Sequence, residues 1–314
     1  PLTDRCNFRC FYCLPYGEPP LARKETILTF EEIAYLSEIF VSLGIEKIRL
    51  TGGEPLIRKD VPELVKRLAV LKPQLKDLAL TTNGFDFPRK AEDLKRAGLD
   101  RVTLSLDSLK RDRFQEITGV DAFEKVLAAI ETAKEFEFEP VKINAVIVRG
   151  RNDDELVDFA RFARKTGVSM RFIEFMPLDS GHEWSREMVV SGREIFDRIN
   201  SAFPLKKKHS DRGSETAWKY GFADGAPGEI GIIAPVTEMF CGQCSRIRLT
   251  ADGQIRTCLF STVEYNLRDV VRSGAARQEI VEFIEDAVYK KEPRHHINDA
   301  DFVQPSRTMS FIGG

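Results

Sequence analysis

Six cysteines carry the clearest chemical signal in the chain, and they fall into two groups of three. Cys6, Cys10 and Cys13 lie within eight residues, in a Cys-x3-Cys-x2-Cys pattern with Tyr12 just ahead of the third thiol. Thiolates that close together suit an iron–sulfur cubane, in which each Cys takes one iron corner. The next cysteine is more than two hundred residues away, so one iron would stay open to a substrate or cofactor. A zinc site completed by a distant His or Cys is the plainer alternative.

The second group is Cys241-Gly242-Gln243-Cys244, with Cys258 after a further thirteen residues. Asp252-Gly253 reads as a hairpin turn that returns Cys258 to the side of the CxxC. Taken alone, this pattern fits a zinc knuckle. Beside the first triplet it fits a second iron–sulfur cluster, again one ligand short. Arg246-Ile247-Arg248 lies between these cysteines, and strand alternation would put both guanidinium groups on one face. Such a pair suits phosphate, because Arg offers a fork of donors. A solvated edge strand is the plainer reading.

These residues need elements to position them. Thr29 with Glu32 forms a capping box and opens a helix toward Gly44. Strand-like segments follow at 47–51, 78–82, 101–106, 141–148 and 169–175, with helical spacing at 61–71, 91–97 and 123–135 and from the Asn152-Asp153-Asp154 cap to Lys165. With a strand stub at Leu2-Thr3, this makes six βα-type units and predicts a parallel sheet. Chemistry then belongs at the carboxyl ends of the strands. Gly52-Gly53-Glu54-Pro55 directly follows one of them, where glycine lets the backbone approach a ligand and Glu54 can receive an ammonium. Ser105 and Met176 end two others, where packing or capping is the plainer role. The division expected is 1–203 for the barrel and 204–314 for an α+β extension around the second cysteine group. Residues 204–228 read as a linker or surface loop, Lys206-Lys207-Lys208-His209 as solvated, and His295-His296 as surface. Short strands are expected at 230–234, 246–250 and 254–257, and a helix at 275–289.

With 314 residues, 42 % hydrophobic and 31 % charged, the chain is long enough for a large α/β domain and an appendage. A formal net charge of -2 argues against a nucleic-acid-coating protein. No apolar run reaches the ~18 residues of a membrane span, and there is no signal-peptide pattern. Clustered rather than dispersed cysteines fit a reducing, cytoplasmic setting.

CNFRCFYC and LTGGEPL resemble the radical S-adenosylmethionine (SAM) superfamily. Together with LTTNG, SLD, RFIEFMP, the CxxC-x-RxRLT-x-DG-x4-C block and the terminal Gly313-Gly314, they are similar to its GTP 3′,8-cyclase family, which acts in molybdenum-cofactor biosynthesis. The resemblance implies a partial (β/α)6 TIM-type barrel, two 4Fe-4S clusters and SAM. It implies that a 5′-deoxyadenosyl radical takes hydrogen from C3′ of GTP, which then closes onto C8 to give 3′,8-cyclo-7,8-dihydro-GTP. Matched motif by motif, Cys6, Cys10 and Cys13 hold one cluster and Cys241, Cys244 and Cys258 the other. Tyr12, Gly53, Glu54, Ser105 and Met176 meet SAM; Arg49, Thr81, Lys142, Arg246, Ile247 and Arg248 meet GTP; the Gly-Gly tail reaches into the barrel. A further substrate-binding Arg of the family lies upstream of where this sequence begins. A reducing electron donor and a downstream cyclic pyranopterin monophosphate synthase are the implied partners. The oligomeric state, homodimer included, is not legible in the sequence. Two readings compete: a peptide-modifying radical SAM enzyme with an auxiliary cluster, and a non-catalytic zinc-stabilised adaptor.

Overall fold

The computed structural model describes residues 1–14, 21–179 and 181–313. Five parallel strands follow the expected alternation: β1 (Lys47–Leu50), β2 (Asp77–Thr82), β3 (Arg101–Ser105), β4 (Lys142–Ile147) and β5 (Ser169–Glu174). Among them run α1 (Phe30–Ser42), α2 (Val61–Ala69), α3 (Phe87–Arg96), α4 (Arg111–Thr118), α5 (Phe123–Glu135) and α6 (Leu156–Thr166). The capping box at Thr29 and Glu32 forms in both directions, at 3.1 and 2.7 Å. Helix α4 has no counterpart in the sequence reading, because Phe114 and Ile117 are its only large apolar residues and too few for a periodicity.

The sixth parallel strand is not the stub at Leu2-Thr3 but β8 (Glu229–Ile233), which pairs with β5. Leu2 and Thr3 instead bond to the turn after β1, through Leu2 N–H to the Thr51 carbonyl at 2.6 Å and Gly53 N–H to the Thr3 carbonyl at 2.7 Å. After α7 (Gly192–Ala202), the supposed linker contains β6 (Leu205–Lys207) and β7 (Trp218–Phe222), an antiparallel pair that completes the order β1-β2-β3-β4-β5-β8-β7-β6. This edge pair has little apolar patterning because its cations do part of the packing. Lys207 sits over the Trp218 ring at 3.3 Å, and Lys208 pairs with Glu229 at 2.8 Å. The barrel sheet therefore runs across residue 203, where the division between barrel and extension was expected.

The two faces of the sheet differ, as the period of two requires. Leu78, Leu80, Val102, Leu104, Ile143, Ala145, Ile147, Met170 and Phe172 are buried in the main core with the helices. The alternate residues Arg49, Thr81, Thr103, Ser105, Lys142, Asn144 and Arg171 face the other way. An inner face of that composition cannot pack as an apolar core, so it is built to meet polar groups.

Beyond the barrel, β9 (Arg248–Leu249), β10 (Gln254–Arg256) and β11 (Tyr265–Asn266) form a small antiparallel sheet in the order β11-β10-β9. Gly253 makes the β9–β10 turn with φ +77°, and a Cβ there would lie 2.5 Å from that of Arg268. Helices α8 (Leu267–Arg272), α9 (Arg277–Tyr289) and α10 (Met309–Ile312) follow. Leu178, Val189, Val236, Phe260 and Ile297 make a second, smaller apolar cluster, against which Met176 and Cys258 pack. Among the described residues, no helix is long and apolar enough to cross a membrane.

Candidate active site

The first cysteine loop is held from two sides. Arg9 N–H donates to the Thr118 carbonyl at 2.8 Å and Phe11 N–H to that of Ile117 at 3.1 Å, which fastens the loop to the end of α4. Phe8 is buried edge-on against Phe85 and Phe114, at 6.3 and 6.1 Å between ring centroids. Within the loop, Cys13 and Leu14 N–H both donate to the Cys10 carbonyl at 2.9 Å. Cys6, Cys10 and Cys13 are half-buried and in no disulfide. Burial pushes Cys6 up to about 11 and Cys13 up to about 12, and it raises Cys10 well above the usual thiol range, where Asp107 and the other two thiols add to it. Three thiols gathered on one loop suit the corners of an iron–sulfur cubane.

Gly52 and Gly53 lock this loop to the barrel. A Cβ on Gly53 would lie 2.1 Å from the Arg5 carbonyl oxygen, and one on Gly52 would lie 2.5 Å from that of Thr3. Glu54 N–H donates to the Arg5 carbonyl at 2.8 Å. The Glu54 carboxylate is buried and accepts from Leu56 N–H (2.9 Å), Thr82 Oγ1 (2.7 Å) and Asn83 N–H (2.7 Å). Three of its roughly four acceptor positions are thus engaged within the protein, which leaves one for an ammonium. Tyr12 donates its hydroxyl to Asp107 Oδ2 at 2.7 Å, and Val146 N–H donates to Oδ1 at 2.8 Å. Burial lifts Asp107 to about 6, against both bonds. Ser105 ends β3 beside Asn144 of β4, whose side-chain oxygen is buried and unbonded. Met176 lies two residues past β5 rather than at its end.

Arg49 and Thr81, expected at one ligand, touch directly. Arg49 Nη1 donates to Thr81 Oγ1 at 3.0 Å and to Thr103 Oγ1 at 3.1 Å. Burial lowers Arg49 to about 10, helped by Arg171 and Arg101. Lys142 opens β4, and burial lowers it to about 7, with Arg171, Arg101, Arg49 and Lys219 adding repulsion. Arg171 was missed in the sequence, although it sits two residues into β5 in phase with Lys142, as the pattern Ser-Met-Arg-Phe-Ile-Glu displays. Thr103 and Asn144 carry the same inward phase.

Arg246 and Arg248 form a second cation group and do not share one strand face. Arg246 precedes β9 and donates to the Ser214 carbonyl at 3.1 Å, while Arg248 lies in β9 near the Cys244 and Cys258 thiols. Ile247, between them, is half-buried against the main core. Burial lowers Arg248 to about 10, with Arg246 the next contributor. Its Nε faces the Gly313 carbonyl at 3.4 Å. The C-terminal tail therefore lies beside Arg248, and the Ser310 N–H at the Cys13 thiol brings it to the first cysteine group as well. Gly314 lies outside the described residues.

At the second group, Cys241–Gln243 make a tight turn and Cys244 N–H donates to the Cys241 carbonyl at 2.9 Å. The hairpin places Arg256, two residues before Cys258, opposite Arg248 of β9. Burial raises Cys258, whereas at Cys244 burial is outweighed by the Arg246 N–H and by nearby Arg and Lys charges, so that thiol falls below its ordinary value. His295, expected at the surface, is buried: its ring packs on Phe260 at 5.1 Å and its N–H faces Cys241 Sγ at 3.5 Å. His296 is exposed, as read. Among the described residues, no three His, Cys, Asp or Glu side chains close on a single metal ion. A cubane instead spreads its ligands over separate irons, and two all-thiol donor sets suit that chemistry.

The Radical SAM superfamily matches residues 1–163, and the family described as Molybdenum Cofactor Synthesis C matches residues 168–297. A GTP 3′,8-cyclase of Streptomyces coelicolor is 45 % identical over 315 residues, covering 100 % of this chain and 92 % of the relative. The mitochondrial GTP 3′,8-cyclase of Arabidopsis thaliana is 44 % identical over 314 residues, covering 100 % and 80 %. Molybdenum cofactor biosynthesis protein 1 of Drosophila melanogaster is 43 % identical over 94 % of this chain and 52 % of its own length. In fold, the chain is similar to the structure described as native anSMEcpe with bound AdoMet, with a TM-score of 0.60 at 16 % identity over 93 % of this chain and 81 % of that one. The chain belongs to the radical SAM superfamily and, within it, to the GTP 3′,8-cyclase family.

Proposed function

We infer that this protein is a radical SAM GTP 3′,8-cyclase of molybdenum-cofactor biosynthesis that uses two 4Fe-4S clusters. The observation that carries this reading is the pairing of two three-cysteine groups with a polar, cationic barrel face between strands β1 and β5. Cys6, Cys10 and Cys13 would hold one cluster and Cys241, Cys244 and Cys258 the other, each leaving an iron open. Bound SAM supplies, on reduction by an external donor, the radical that removes hydrogen from C3′ of GTP.

The chain's own groups hold and orient. Gly52 and Gly53 fix the first loop at the top of β1, and Tyr12, Gly53, Glu54, Ser105 and Met176 would grip SAM. Arg49, Thr81, Lys142 and Arg171 present donors from the inner face of the sheet, and Arg246 and Arg248 present theirs beside the second thiol group. GTP spans these sites, with its triphosphate on cations and its base toward the second centre. Charge-assisted contacts of this kind contribute roughly 1.5–3 kcal/mol each.

The two centres separate by substitution. Anaerobic reconstitution should load about eight irons per chain. Cys10→Ala should lose SAM cleavage, while Cys258→Ala should keep some cleavage and make no cyclised product. Stoichiometric zinc at the second group, or a Cys258→Ala enzyme that cyclises GTP normally, would overturn the two-cluster reading.

A further inference from the structure

In the strap from Lys291 to His295, Lys291, Glu292 and His295 between them touch the segments of all three cysteines in the second group. Lys291 Nζ donates to the Arg246 carbonyl at 3.0 Å and, at shorter range, to the Thr257 carbonyl. These carbonyls belong to the residues two past Cys244 and one before Cys258. Four residues on, His295 N–H faces Cys241 Sγ at 3.5 Å. Glu292, between them, accepts from Thr257 Oγ1 at 2.6 Å. The strap thus grips both ends of the β9–β10 hairpin and the CxxC turn together.

Two further features point inward. The His295 ring is buried with the Pro235 carbonyl beside it; the residue flanks Cys241, and the ring rests on Phe260, whose N–H faces the Cys258 thiol. The Lys291 ammonium, held between the carbonyl two residues past Cys244 and the carbonyl one before Cys258, puts its charge on the side of the donor set.

We propose that the Lys291–His295 strap governs the redox potential of the second centre, with Lys291 as a positioning residue whose charge stabilises the reduced cluster. The proposal rests on the reading that Cys241, Cys244 and Cys258 hold a cluster. Three thiolates on a cubane leave net negative charge, and one-electron reduction adds another. A fixed ammonium lowers the cost of that electron, and its loss moves the potential downward.

The test is a potentiometric EPR titration of anaerobically reconstituted full-length enzyme. The first cluster, recognised by the change SAM makes in its signal, is the internal reference. Lys291→Gln keeps a donor for the carbonyls and loses the charge; Lys291→Arg keeps both. Lys291→Gln should make reduction of the second cluster at least tenfold less favourable, about 59 mV downward for one electron. Lys291→Arg should stay at the wild-type potential, and the first cluster should not move in either variant. An unmoved second potential in Lys291→Gln, with eight irons loaded, overturns the proposal. If Lys291→Gln instead sheds four irons, retention in Lys291→Arg supports a charge role and loss in both overturns it. Wild type that loads only about four irons would remove the underlying two-cluster reading itself.

Discussion

Gly53 faces the Arg5 carbonyl so closely that a Cβ on it would lie 2.1 Å from that oxygen. The contact couples the end of β1 to the residue before Cys6. Gly53→Ala must therefore push the cysteine loop away, and overpacking of this kind costs about 1–3 kcal/mol. The expected outcome is a folded protein with the second cluster loaded, the first depleted, and SAM cleavage strongly reduced. Iron analysis with circular dichroism checks it.

Lys142 gives the site a pH dependence. It is buried at the start of β4 with Arg49, Arg101, Arg171 and Lys219 around it, and Asp77 and Glu215 are the acids near this group. Its folded value of about 7 lies below the unfolded 10.5, so between those limits the unfolded chain binds more protons. This group's contribution to stability therefore rises with pH from about 7 toward 10. Lys142→Met should be most stabilising to the ligand-free protein at and below pH 7. A triphosphate favours the charged amine, so GTP affinity should fall as pH rises through about 7, with proton uptake on binding. Calorimetry in buffers of different ionisation enthalpy should detect that uptake in wild type and not in Lys142→Met.

The two cation groups should read phosphate rather than base. Arg171→Ala and Arg248→Ala should each weaken GTP binding tens-fold or more and affect guanosine much less, consistent with roughly 1.5–3 kcal/mol for a charge-assisted contact. Direct binding to the two-cluster enzyme checks it. Equal losses for both ligands would remove the phosphate role.

Gly313 stands at φ +84°, and a Cβ on it would lie 2.8 Å from the Thr51 side chain. Gly313→Ala is strained in conformation and in space, so the tail should leave Arg248. The expected result is near-normal iron content and SAM cleavage with much lower yield of cyclised GTP per SAM consumed.

Much of this arrangement was legible in the sequence because spacing encodes it. The two cysteine triplets, the glycines after β1 and the period of two in the strands are local patterns. What was missed depends on tertiary partners. Arg171 becomes part of the site only through the register that sets β5 beside β4. His295 looks polar and terminal, and it is buried because the chain after α9 returns to the CxxC turn. The β6–β7 pair reads as a charged loop since Lys207 packs through its contact with Trp218 rather than through an apolar side chain. Arg246 and Arg248 share a phase on paper, but β9 begins only at Arg248.

The most direct test of the account is the fate of one hydrogen. The reconstituted enzyme, given SAM, a reductant and GTP deuterated at C3′, should produce 5′-deoxyadenosine carrying a single deuterium, in step with cyclised nucleotide. Unlabelled 5′-deoxyadenosine, formed at the same rate with or without GTP, would contradict it.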